Sequence, residues 1–209
     1  MLWSVTRVQM VSVSEPFRSD AALTNGALRL VFRAEFFGVL PDPGVSELTV
    51  GTIQAVAKCL AAAGLPVPVD AVDADPESVD WSSLIERLND QVEMSPYPPG
   101  EWPPALDVLG EDLLARLLGV SVSSVRRYSA GGRVTPQPVA ERLHFLALVL
   151  ADLAGSYNDY GMRRWFTRPR SALGDRRPVE VMGEFDPESV DAHRVRALAA
   201  RLVGAGAAA

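Results

Sequence analysis

The sequence predicts a mainly α-helical protein, and three observations carry that prediction. Apolar residues recur at three- and four-residue steps along most of the chain. Proline and glycine clusters punctuate those stretches. Strand-like alternation is confined to a partial pattern at Val5, Val8, Val11 and Val13. With 48% of its 209 residues apolar, the chain has ample material for one large core or two small ones. The layout expected is a helical N-terminal domain over 1–93 and a proline-rich linker over 94–104. A helix-turn-helix follows over 105–135, and a helical C-terminal domain over 136–209.

Residues 1–15 read as a short strand or an unstructured arm. From Asp20 to Phe37, Leu23, Ala27, Leu30, Val31, Ala34 and Phe37 keep a helical period that Pro41-Asp42-Pro43-Gly44 stops. A second helix is expected from about Ser46 to Ala63, closed by Gly64 and the Pro66/Pro68 pair. Asp70, Asp73, Asp75, Glu77 and Asp80 then crowd together. A calcium loop needs glycine at its sixth position and an acid at its twelfth. Neither Asp70 nor Asp73 as a start meets both, so the stretch reads as an acidic linker. Asp75-Pro76 looks like an N-cap followed by a first-turn proline, opening a helix through Trp81, Leu84, Ile85 and Leu88. The hexapeptide DPESVD recurs at 186–191 and reads as a second use of one capping sequence. Five prolines in SPYPPGEWPP predict an extended, semi-rigid connector at the domain boundary.

The stretch EDLLARLLGVSVSSVRRY, residues 111–128, has the pattern of two short helices joined by a tight turn. Ala115 allows close helix approach, and Gly119 tolerates the positive φ that ends the first helix. Leu114, Leu118, Val120 and Val125 share one face. Ser121 is placed to cap the second helix. Facing outward are Ser121, Ser123, Ser124, Arg126 and Arg127, with Arg133 just past the Gly131-Gly132 stop. Short hydroxyls and arginines suit phosphate oxygens and guanine edges in a major groove. An ordinary helical hairpin with a solvated arginine face fits the same pattern.

Pro136 and Pro138 open a further helix, Val139 to Ala154, apolar around nearly its whole circumference and therefore buried. Its His144 reads as a satisfied core or edge histidine with no catalytic partner nearby. The net charge of −6 hides an asymmetry. Residues 1–100 carry 6 basic and 13 acidic side chains, whereas residues 113–177 carry 11 arginines and 4 acids. The basic segment is suited to docking on phosphates despite the acidic whole. The single Cys59 excludes an internal disulfide and reads as a small buried hydrophobe. No Cys/His cluster has zinc spacing, and no catalytic residue, metal or cofactor is expected. No apolar run reaches membrane-spanning length, and no leader pattern opens the chain, which predicts a cytoplasmic protein.

Residues 160–181 read YGMRRWFTRPRSALGDRRPVEV. Arg164-Trp165 is followed by Pro169, an Ala172-Leu173-Gly174 step and Arg177-Pro178. This order resembles the C-terminal toxin-binding segment of the Xre/MbcA/ParS-type antitoxins. Asp175 stands where that family commonly has a second glycine, and Arg170-Ser171 where an Asn-containing pair is common. The resemblance spans about Glu111 to Val203, under half the chain. It implies an antitoxin that neutralises a RES-domain toxin, an enzyme that degrades NAD. It also implies repression of its own operon DNA, as a homodimer or within a larger hetero-oligomer. Arg164, Trp165, Pro169, Leu173, Gly174, Arg177 and Pro178 would then meet the toxin. Arg194, Leu198, Arg201 and Leu202 of the last helix, Asp191 to Val203, would join them.

Read without the family, Trp165 and Phe166 are either interface anchors or a packed core element with a basic rim. The last helix is amphipathic, suited to a partner's groove or to its own domain. Two functional readings therefore stand beside an enzyme, for which no motif speaks. One is a DNA-binding antitoxin. The other is a stand-alone helix-turn-helix regulator whose N-terminal domain senses or oligomerises.

Overall fold

The computed structural model describes residues 8, 10–40, 45–68, 75–183 and 189–202. These are mainly helical, as the periodicity predicts, with one two-stranded pairing among the described residues. The chain divides into two compact units, residues 1–96 and 97–209.

In the first unit, β1 (Ser12–Val13) runs parallel to β2 (Glu47–Leu48), Ser12 opposite Glu47 and Val13 opposite Leu48. Val5, at the start of the alternating pattern, lies outside the described residues. Helix α1 spans Ala21–Phe36, and the Asp20 carboxylate accepts from the Ala22 and Leu23 amides at its start. Its inward side carries Ala27, Leu30, Val31 and Ala34, all fully buried. The Pro41–Gly44 stop falls outside the described residues. Helix α2 (Val50–Ala62) begins later than expected. Glu47 and Leu48 are taken by the strand, and the Thr49/Thr52 capping box sets the start.

Residues 69–74 of the acidic stretch also lie outside the description. Asp75-Pro76 opens only a single 3-10 turn, Pro76–Ser78, after which Val79 turns extended. The helix α3 (Trp81–Met94) starts instead at Asp80, whose carboxylate accepts from the Ser83 amide and hydroxyl. Those bonds, the hydroxyl's first, hold the Asp80 carboxyl below its ordinary range. In the second DPESVD, Ser189 caps the following helix, so one hexapeptide starts helices at two different positions. Arg33, 2% exposed, fastens α1 to α3 by donating to the Asn89 carbonyl, the Asn89 amide oxygen and Glu93.

The second unit opens with a correction. Pro98–Pro104 form no extended connector; they are the first turns of α4 (Pro98–Leu118). Pro98 and Pro99 occupy the first two positions, where the missing N–H costs nothing. Pro103 and Pro104 lie inside the helix, at about 3 kcal/mol each. Burial offsets that: Trp102, Ala105, Val108 and Leu109 all point inward, and a large buried side chain contributes about 1.5–3 kcal/mol. The helix bends at Gly110 (φ 71°, ψ 164°), a conformation open essentially to glycine alone.

Next come α5 (Val122–Ser129), α6 (Gln137–Ala154), α7 (Asp159–Thr167), α8 (Pro178–Gly183) and α9 (Val190–Ala200). Helix α6 is central, as its all-round apolarity predicts, with α4, α7 and α9 packed on it. His144 on α6 has a partner the sequence reading did not find. Its Nδ1 lies 2.8 Å from Glu101 Oε1, which also accepts from the Tyr97 amide. Glu101 is fully buried, so this pair ties the start of α4 to the core.

Candidate functional site

The second half of α4 and α5 form a tight pair. Gly119 (φ 65°) turns the chain left-handed, and the Val120 amide donates back to the Ala115 carbonyl. A Cβ at Gly119 would lie 2.5 Å from an Arg142 nitrogen, and Arg142 itself donates to the Leu118 carbonyl. Leu114, Leu118 and Val125 are buried together, Ala115 at their side, as the spacing predicts; Val120 is half-buried. Tyr128 adds a second fastening by stacking on Trp102 at 6.1 Å, and the Trp102 indole donates to Thr135.

The outward residues of α5 are placed as follows. Ser121 caps the helix through the Ser124 amide, and its hydroxyl also bonds those of Ser123 and Ser124. Ser121, Ser123, Arg126, Arg127 and Arg133 are exposed, and Ser124 is half-buried. Arg126 is already engaged: its Nε donates to both oxygens of Glu111 and its Nη2 to one, at 2.6–3.0 Å. That bond holds the Glu111 carboxyl below, and the Arg126 guanidinium above, their ordinary ranges. Arg133 flanks a groove of about 550 Å³ over Trp102 and Tyr128, whose rim includes the exposed Val134.

The C-terminal segment divides into core and surface. Trp165, Leu173 and Pro178, expected to meet a partner, are buried within this unit. Trp165 meets Phe166 edge-on at 5.1 Å and lies under the Arg170 guanidinium. These three side chains pack into the core of their own unit, and the turn from Arg168 to Arg177 folds back on itself through the Arg170–Arg176 bridge. Gly174 (φ 66°) and Asp175 (φ 60°) both take left-handed geometry in that turn. Arg164, Pro169, Gly174, Arg177, Arg194 and Arg201 are exposed; Leu198 and Leu202 are half-buried. The last helix is anchored through Val195, Ala199 and the Arg176–Asp191 ion pair, while Val203 lies outside the description.

Sequence reasoning did not find a shallow groove of about 680 Å³ where the bend of α4 faces α7. Arg116, Arg163, Arg164 and Arg168 line it with Tyr160. Arg163 donates to the Val108 carbonyl, two residues before the bend. The run of arginines was the available signal; its convergence with Arg116 was not.

Among the described residues, no three His, Cys, Asp or Glu side chains gather as a metal group would require. No helix among them is long and apolar enough to cross a membrane. Cys59 is half-buried, and desolvation raises its thiol pKa, which disfavours the thiolate. Set against models of protein families, curated proteins and solved structures, the chain finds no match.

Proposed function

We propose that this chain is a DNA-binding antitoxin: α5 enters a major groove of operator DNA, and the basic surface beyond Tyr160 binds a RES-domain toxin. The observation that carries it is the division of α5. Val125 is fully buried against α4, whereas Ser121, Ser123 and Arg127 stand exposed on an eight-residue helix. The toxin half rests on the resemblance of residues 160–181. In that segment and the last helix, the exposed Pro169, Arg177, Arg194 and Arg201 are the groups left to meet the toxin, while Arg164 faces the groove toward α4.

The test has two arms. Titration of fluorescent duplex from upstream of its own reading frame should show binding that Ser123→Ala/Arg127→Ala weakens roughly 10- to 100-fold. Co-expression with a RES-domain protein encoded beside it should give a complex in which NAD consumption stops. Unchanged NAD consumption with both proteins present removes the antitoxin half.

The burial of Trp165, Leu173 and Pro178 favours a second reading, a stand-alone regulator in which this segment only completes the fold. In that case the DNA arm succeeds and no toxin is bound.

A further inference from the structure

We propose that the arginine groove between the bend of α4 and α7 holds DNA phosphodiester backbone, extending the footprint of α5 along the duplex; this rests on the DNA-binding reading above. Arg116 lines one wall, and Arg163, Arg164 and Arg168 line the other. Of the two acids at the rim, Glu111 is neutralised by Arg126, which leaves Asp112 against four guanidinium groups. A local excess of positive charge in a chain of net charge −6 singles this surface out.

Two of the four guanidinium groups are held in place by their neighbours. Arg163 spends one nitrogen on the Val108 carbonyl and keeps its other donors. Arg164 donates to the Tyr160 hydroxyl and lies 6.0 Å from that ring's centre. Preset forks of this kind match phosphate oxygens in pairs.

The groove is also continuous with α5, because Glu111 on its rim grips Arg126 of that helix. A protein partner would want apolar anchors in a pocket. Here Leu109 is buried beneath the floor, the exposed Tyr160 is engaged by Arg164, and four guanidinium groups share the lining. Phosphates are the better fit.

The experiment measures duplex binding across salt concentrations, on a short duplex and on one a helical turn longer. It compares the wild-type chain with Arg116→Gln/Arg168→Gln, Arg116→Lys/Arg168→Lys and Ser123→Ala/Arg127→Ala. Arg116 and Arg168 are exposed, as are Ser123 and Arg127, so thermal melting should show all variants folded. The Gln pair should make the slope of log affinity against log salt shallower by roughly 1.8, about 0.9 per phosphate contact. It should also lose the affinity gained on the longer duplex, while the Lys pair retains both.

The proposal is overturned if the Gln pair keeps slope and length gain while the α5 variant loses binding; the α5 reading then stands alone. A wild-type chain that binds no duplex overturns both. A Gln pair that binds DNA normally but loses a co-purifying acidic protein reassigns the groove to that partner and overturns it too.

Discussion

Glu111 grips Arg126 with both carboxylate oxygens across the turn between α4 and α5, at 2.6–3.0 Å. An arginine expected to face DNA is thus oriented, and its charge compensated, by the helix before it. Glu111→Gln should release it, steepening the salt dependence of DNA binding by about 0.9 in slope. Thermal stability should hardly change, since exposed pairs contribute little. An unchanged slope would mean that Arg126 never reaches a phosphate.

The same pair has a pH signature. Its folded carboxyl titrates below the unfolded glutamate, so its contribution is whole above the ordinary glutamate range and disappears as pH falls through the folded value. A carbon-13 titration of the Glu111 carboxyl should give a midpoint below the ordinary glutamate range, returning toward it in Arg126→Ala. A midpoint unmoved by Arg126→Ala contradicts the pairing in solution.

Gly119 holds the turn that sets α5 on α4. Gly119→Ala meets left-handed backbone, at about 1–2 kcal/mol for an L-residue, and a Cβ placed 2.5 Å from Arg142. Denaturant unfolding should show a loss of about 1–3 kcal/mol. DNA affinity at a temperature where the chain is folded should fall as well, because the helix pair is displaced.

Trp165→Ala should act on stability rather than on a partner alone. With its ring 3% exposed and packed on Phe166, its loss should cost about 3–5 kcal/mol. Arg201→Ala, at an exposed position, should stay within about 0.5 kcal/mol of wild type. If the antitoxin reading holds, that variant should still lose toxin affinity in a pull-down.

Asp175 occupies left-handed backbone beside Gly174 (φ 60° and 66°). Asp175→Gly removes the Cβ penalty, against the greater unfolded-state freedom of glycine. A net gain of about 0.5–1 kcal/mol is expected, read as a melting point a few degrees higher.

What could be read from the chain was what neighbours in sequence decide. Helix α1 followed from its apolar period, and the α4–α5 turn from Gly119 and Ser121. Where local signals competed, the reading failed. Five prolines argued for an extended connector, but the burial of Trp102 and its neighbours outweighed the proline cost and made residues 98–104 helical. Asp75-Pro76 looked like a helix start, but the chain at Val79 is extended and Asp80 took the role.

By itself the sequence determined the helical class, the Ser121 cap, the Gly119 turn, and the placing of serines and arginines on the outer side of α5, because each depends on steric and hydrogen-bonding rules acting within a few residues. Only the tertiary structure decided that Trp165 belongs to the core, that Glu101 meets His144 across 43 residues, and that Arg116 shares a groove with the arginines of α7. Those outcomes depend on how helices distant along the chain pack, and no local period encodes which side chains that packing brings within reach.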